Sequence, residues 1–261
     1  MVKLSAVIIT LNEEKNIARC LDSLTGLVDE IVVIDSFSTD RTQEICLERG
    51  ARFLTHTFEG YVQQIRYAIP QASHDLVLSI DADEALSPVL RAAILAVKQA
   101  PQFDAYECER LNYYCEKPIR HGAWHPDRKV RLWRAGSGGY GGTNPHYKYE
   151  LHEGGRLGRL NGKLLHYSYD SFDGLVSQAV RFSKIAADEA YDQGKRVSLP
   201  GLLLRPLFRF KRDYFLKAGF LDGMPGLLIA AISAFGNFLK YTRLYEMHAG
   251  CAAKEGHADR I

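Results

Sequence analysis

The run Leu76-Val77-Leu78-Ser79-Ile80 is followed at once by Asp81-Ala82-Asp83-Glu84, so three carboxylates fall within four residues at the exit of an apolar strand pattern. An ionised carboxylate at the end of a buried strand needs a counter-charge, and this spacing suits a divalent cation. The competing reading is a solvated acidic turn before a helix that Ser87-Pro88 would start. Three further groups could move or hold a proton or a metal: Glu153 in the pair His152-Glu153, Asp127 after Trp124-His125-Pro126, and His166 in Leu164-Leu165-His166-Tyr167. A lone histidine in a polar and aromatic strand is more often a hydrogen-bonded structural residue than a ligand.

The elements that must position these groups can be read from hydrophobic periodicity. Lys3–Thr10, Glu30–Ile34, Arg52–Leu54 and Leu76–Ile80 are strand patterns. Helical patterns lie between them: Ile17, Cys20, Leu21 and Leu24; the segment from a cap at Thr39 or Asp40 through Leu47; and Val62–Ala72. Continuous apolar strands alternating with helices indicate a mostly parallel sheet covered on both faces, and such sheets bind ligands beyond the carboxyl ends of their strands. Those ends carry Thr10–Glu14, Asp35–Asp40 and Asp81–Glu84, so the polar clusters converge on one edge. No GxGxxG or GxxxxGK[ST] loop occurs, which argues against dehydrogenase and P-loop chemistry. Two phosphates beside these carboxylates would repel them unless Mg²⁺ or Mn²⁺ bridged the charges, so a metal and a nucleoside diphosphate imply each other.

After Asp104 the strands become shorter and mixed, with Ala105–Arg110 and Val130–Arg134 as examples, and Gly136–Asn144 reads as a mobile loop with five glycines, the alternative being a long hairpin connection. Residues 172–196 read as one helix with Phe172, Val176, Ala179, Val180, Phe182 and Ile185 inward. Beyond it Arg205, Arg209, Lys211, Arg212 and Lys217 interleave with Leu207, Phe208, Phe210, Tyr214, Phe215 and Phe220, a pattern suited to peripheral contact with an anionic membrane through residues 200–240. The apolar run Gly226–Phe238 is shorter than the roughly twenty residues a bilayer span needs. The last eleven residues, 251–261, are small and polar and read as a tail. A net charge of +2 does not call for a nucleic acid partner, and five cysteines without a CxxC pair signal neither a disulfide framework nor zinc. With no basic n-region before the first strand, the expected location is the cytoplasm, on the cytoplasmic face of the inner membrane where it attaches.

Taken in order, several motifs resemble the inverting glycosyltransferases of family 2. They are Ile9-Thr10-Leu11-Asn12-Glu13-Glu14, the segment Val33–Thr42, Asp81-Ala82-Asp83-Glu84, Trp124-His125-Pro126-Asp127 with Arg131-Leu132, His152-Glu153, His166-Tyr167-Ser168 and Gly219–Gly223. Within that family the chain is similar to the branch holding the bacterial lipopolysaccharide inner-core β-glucosyltransferases. The resemblance implies an α/β GT-A fold. It implies a catalytic domain over 1–170, with a nucleotide-binding half to residue 100 and an acceptor half from 101, and a helical region over 171–250. It further implies uridine contacts from Thr10, Asn12, Glu13 and Asp35, with Asp81 near ribose or metal, and a metal on Asp83 and Asp81 completed by His166. A phosphate contact would move to Arg66, because the family's usual Lys or Arg followed by Asn reads Ile65-Arg66 here. Glu153 is the first choice of general base and Asp127 the second, while Trp124 and Arg131 would meet the acceptor. The implied reaction transfers a hexose, glucose from UDP-glucose, to a lipopolysaccharide core or other glycolipid or oligosaccharide acceptor. A nucleotidyltransferase and a non-catalytic sugar- or membrane-binding module are the alternatives.

Overall fold

The computed structural model describes residues 1–143 and 146–250. The chain divides into two compact units, Met1–Leu111 with Asp127–Tyr167, and Asn112–Pro126 with the chain from Ser168 onward. Residues 112–126, which the sequence reading assigns to the acceptor half, therefore belong with the helical region.

The elements run β1 (Leu4–Thr10), α1 (Ile17–Leu24), β2 (Glu30–Asp35), α2 (Thr42–Glu48), β3 (Arg52–Thr55), α3 (Tyr61–Ala68), β4 (Leu76–Ser79), β5 (Glu84–Leu86), α4 (Pro88–Gln99), β6 (Ala105–Tyr114), β7 (Lys117–Pro118), β8 (Asp127–Arg134), β9 (Gly138–Thr143), β10 (His146–Leu151), β11 (Leu157–Tyr169), α5 (Phe172–Asp192), α6 (Leu199–Lys211) and α7 (Gly223–Ala249). In the first unit the strand order is β3-β2-β1-β4-β8-β6-β11-β5. Strands β3, β2, β1 and β4 are parallel; β8 runs antiparallel to β4 and β6, and β5 runs antiparallel to β11. The sheet is thus more mixed than the repeated strand-helix pattern implies. Alternation along each strand feeds two cores. Leu4, Ala6 and Ile8 of β1, Val33 of β2 and Leu76 and Leu78 of β4 meet α1 and α4 on one face. Val7, Val32, Ile34 and Val77 meet Ile65 and Ala68 of α3 on the other.

The glycine-rich segment is not an open loop. It forms the antiparallel hairpin β9-β10, with Tyr140 paired to Tyr149. Both tyrosines pack on the buried Trp133, at ring-centroid distances of 5.7 and 4.3 Å. Aromatic burial supplies what the glycines cannot, and Gly138 lets β9 close on β10, since a Cβ there would lie 2.3 Å from the Glu150 carbonyl oxygen. Asn144, at the end of the expected loop, lies outside the described residues, as does the tail 251–261.

In the second unit α7 packs along α5 and α6. The buried stripe of α5 is Leu175, Ser183, Ala187 and Ala190, whereas Phe172, Val180 and Phe182 are exposed. Gly236 of α7 faces Ala179 of α5, and three of the four buried α5 residues are small, so the large apolar side chains lie beside the contact. The apolar run beginning at Gly226 belongs to a 27-residue helix. Among the described residues, Gly219–Ala249 is the one helical stretch long and apolar enough to cross a membrane by length and composition alone, so the thirteen-residue apolar run is part of a longer helical stretch.

Gly162 of β11 gives a sharp test of the first unit's packing. Its φ is +96° and a Cβ would lie 2.2 Å from the Leu90 backbone nitrogen at the start of α4. Gly162→Ala is expected to cost about 2–4 kcal/mol through strain and displaced backbone, measured as a lower urea midpoint with an unchanged m-value.

Candidate active site

The carboxyl ends of β1 and β2 lie level, Thr10 opposite Asp35. Asp35 is buried, and its carboxylate accepts hydrogen bonds from the Ser38 amide at 2.7 Å and the Ser38 hydroxyl at 2.5 Å. Asn12, at φ +54°, turns the chain after β1; its amide donates to Ser38 Oγ at 2.7 Å and its Oδ1 accepts from the Thr39 amide at 2.8 Å. The Glu13 amide donates to Thr42 Oγ1 at 2.8 Å, and the Glu13 carboxylate accepts from Asn16 Nδ2 at 2.9 Å. The two loops are thereby held as one surface. Thr10 Oγ1 is buried with no hydrogen-bond partner among the described residues, an unmet demand of the kind a ligand fills. Ser38 and Thr42 carry much of this geometry, and the sequence signal for them was the Ser/Thr/Asp density after β2.

The acidic stretch is a tight turn between two strands. The Glu84 amide donates to the Asp81 carbonyl at 3.0 Å, and β5 starts at Glu84 instead of the helix starting there. The expected cap on the next helix does form, with Ser87 Oγ accepting from the Leu90 amide at 3.3 Å. Antiparallel pairing of β5 with β11 sets His166 opposite Glu84, and the Tyr167 amide donates to the Asp83 carbonyl at 2.9 Å. This register brings His166 Nε2 to 3.1 Å from Asp83 Oδ2.

Arg131, expected at the acceptor, does something else. Its guanidinium is buried between Asp81 Oδ2 at 2.6 Å and Glu84 Oε1 at 2.7 Å. Arg110 of β6 extends the network, reaching Glu84 at 3.3 Å and Asp127 at 2.7 Å, and Lys129 lies 3.4 Å from Asp127. The Arg131 assignment is corrected for a physical reason: β8 is antiparallel to β4, and its residues 130 and 131 come level with the end of β4, where two acids need a cation. Burial alone would raise the pKa of Asp81, but Arg131 outweighs it and holds the carboxyl below the usual range. Glu84 is pushed up, by burial first and by Asp81 next, despite Arg131. Asp127 is held low, because Arg110 and Lys129 overcome its partial burial.

Two other expected site residues, Arg66 and Glu153, lie apart from this cluster, and a third, Trp124, belongs to the second unit. Arg66 donates from Nε and Nη2 to the Tyr140 carbonyl at 2.9 and 2.8 Å, so it braces β9. Within the second unit Trp124 stacks on Tyr169 at 5.2 Å. Glu153 sits exposed in the turn between β10 and β11. Its neighbour Arg156 donates through its amide to Asp104 at 2.8 Å, and Asp104 lies beside Arg134, at the edge where β4 begins. At about 3.3 Å per residue the ten steps of chain from Arg156 to His166 span roughly 30 Å. The structure does not bring Glu153 to the acidic cluster; it brings Asp127 there.

The family model described as "Glycosyl transferase family 2" matches residues 5–154, more than half of the chain. A lipopolysaccharide core biosynthesis glycosyltransferase, LpsC, of Rhizobium meliloti is 30% identical over 257 residues, covering 94% of this chain and 93% of the relative. An uncharacterized glycosyltransferase of Rickettsia typhi is 31% identical over 257 residues, covering 95% and 88%. Among solved structures, glucosyl-3-phosphoglycerate synthase of Mycobacterium tuberculosis, crystallised with Mn²⁺, UDP and glucosyl-3-phosphoglycerate, is 26% identical with a TM-score of 0.36, over 43% of this chain and 44% of that one. The chain belongs to glycosyltransferase family 2, with the GT-A fold, and is an enzyme of that class. Membership sets aside the nucleotidyltransferase reading.

Two measurements test the ion cluster. Arg131→Met leaves Asp81 and Glu84 without their shared cation, and the expected cost is about 3–5 kcal/mol, read as a lower melting temperature at pH 7. The second is the pH dependence. The folded pKa of Asp127 lies below its unfolded value, so its contribution to stability is present above the unfolded value and is lost as pH falls through the folded one. Glu84, raised in the fold, works in the opposite sense. Thermal unfolding followed from pH 5 downward should show the wild type losing stability more steeply than Asp127→Asn.

Proposed function

We propose that this enzyme transfers a hexose, glucose from UDP-glucose, with inversion to a hydroxyl of a lipopolysaccharide core or other lipid-linked glycan on the cytoplasmic face of the membrane. The observation that carries the reading is the approach of Asp83 Oδ2 to His166 Nε2, 3.1 Å, at the end of β4. A carboxylate and an imidazole nitrogen this close can share one ion, so the residues fit Mg²⁺ or Mn²⁺. Among the described residues no group of three or more His, Cys, Asp and Glu is spaced for a metal, so diphosphate oxygens and water would complete the shell, as is usual for Mg²⁺. When bound, the cation would neutralise the departing diphosphate. Asp81 is committed to Arg131, and we assign it to shaping the turn and facing the ribose, with Asp83 and His166 as the ligands. The acceptor class rests on the name of the Rhizobium relative.

The chain's own residues supply the rest. The Thr10 hydroxyl, the Asp35 carboxylate and the Asn12-Glu13 turn form the base pocket, where a carboxylate accepting the uracil N–H discriminates against bases lacking that donor. Asp127 is the general base. Arg110 and Lys129 keep it ionised at neutral pH and fix its direction. Inversion needs one such carboxylate opposite the leaving group, taking the acceptor proton as the new bond forms. Within the second unit, Trp124, half-buried with one ring face on Tyr169, offers its other face for stacking on a sugar.

Asp127→Asn should lower kcat by about 100-fold or more while leaving the thermal shift by UDP with Mn²⁺ intact. Asp83→Ala and His166→Ala should abolish that Mn²⁺-dependent shift, and Glu153→Gln should retain near-normal transfer. Loss of transfer in Glu153→Gln, with Asp127→Asn active, would reverse the assignment of the base.

A further inference from the structure

The second unit exposes apolar side chains that its core does not use. Leu203, Leu207, Phe208, Phe215, Leu216 and Leu221 are between 57% and 75% exposed, all within α6 and the turns that follow it. Single exposed leucines are ordinary on a soluble surface, but six large apolar side chains exposed between Leu203 and Leu221 mark an interaction face. Of α6, only Pro206 is buried.

The charges on this stretch have one sign. Between residues 196 and 224 the basic residues are Arg196, Arg205, Arg209, Lys211, Arg212 and Lys217, and the acidic ones are Asp213 and Asp222. Asp213 is buried, bonded by Arg209 at 2.5 Å and Arg212 at 2.8 Å. Asp222 is also enclosed, accepting from the His121 amide at 2.8 Å and facing its Nδ1 at 3.0 Å. Both acids are consumed inside the unit, so the exposed charge is positive. Between α6 and α7 lies a cavity of about 360 Å³ lined by Leu204, Arg205, Phe208, Arg209, Arg212, Asn237 and Tyr241. Arg205 donates to the Tyr241 hydroxyl at 2.9 Å, and Asn237 Oδ1 is buried with no donor among the described residues. Three guanidinium groups, two of them sharing the single charge of Asp213, leave a net positive groove beside an unused amide oxygen and two apolar side chains, which suits an anionic headgroup that also carries a hydroxyl.

The geometry points to α6 as an interfacial helix that docks on an anionic phospholipid leaflet, with the α6–α7 groove taking a lipid phosphate and the exposed leucines and phenylalanines entering the acyl boundary. A second copy of this chain fits less well, because a two-fold contact would set these basic residues against themselves. A membrane span by α7 is not needed, since α7 packs along both α5 and α6.

The experiment is flotation of the full chain with phosphatidylcholine vesicles, with and without phosphatidylglycerol, at low and high NaCl, beside a sedimentation measurement of self-association. Phosphatidylglycerol-dependent flotation that weakens with salt is expected. R205E/K211E/K217E should lower partition by about 100-fold, and L203S/L207S should abolish it, each with unchanged circular dichroism. The exposed pair K211Q/K217Q keeps the charge arm readable if the triple variant folds poorly. Equal partition on neutral and anionic vesicles would overturn the proposal. So would self-association without flotation, or a thermal shift by inorganic phosphate without flotation. UDP binding is a separate readout, so failure here leaves the catalytic reading standing, and the reverse holds too.

Discussion

Arg131 placed between Asp81 and Glu84 is the interaction on which the active edge of the first unit depends. Glu84 is fully buried at the start of β5, and an unpaired charge there would cost several kcal/mol. The antiparallel return of β8 along β4 delivers the cation, and Arg110 on the next strand delivers a second. With this network closed, the turn from β4 into β5 can hold three acids without unfolding. The same network sorts them. Glu84 is buried beneath the site, Asp81 is bound laterally, and Asp83 points to His166. A pair of acids two residues apart therefore has unequal chemistry because of one arginine that touches only the first.

Much of this edge was legible in the sequence because strand ends are easy to read. Continuous apolar runs stopping at Thr10, Asp35 and Asp81 say where a parallel sheet presents its carboxyl ends, and register then makes Thr10 and Asp35 neighbours. His166 was legible only through order and resemblance, since its approach to Asp83 depends on the pairing of β5 with β11, a contact between residues some eighty positions apart. The role of Arg131 was not legible. An arginine in Val130–Arg134 reads equally as solvent-facing or as a counter-ion until the neighbouring strand is known. The hairpin β9-β10 was missed for a related reason: five glycines weaken any strand signal, and the tyrosines that rescue it do so through Trp133 on a different strand.

Glu153 shows how motif order can mislead. The pair His152-Glu153 lies between the acceptor strands and His166 in sequence, which suggested proximity in space. A long antiparallel strand separates neighbours in order by its whole length, and β11 carries the chain from the edge where β4 begins to the edge where it ends. Asp127, placed at the start of β8, pairs with Arg110 in the middle of β6 and reaches the cluster through it.

A base with a depressed pKa can look ill-suited to removing a proton from a sugar hydroxyl. The requirement is on the transition state, where partial bonding of the acceptor oxygen to the anomeric carbon makes its proton strongly acidic, so a weak base suffices provided it is ionised and correctly placed. Arg110 meets both conditions at once: its 2.7 Å contact lowers the pKa of Asp127 and fixes the carboxylate's rotamer, leaving the second oxygen toward Lys129 and solvent. The same arginine also contacts Glu84, so Asp127 and the buried acid of the turn share one charge. Placement of Asp127 and stability of the turn are thereby coupled, and a change at Arg110 would disturb both.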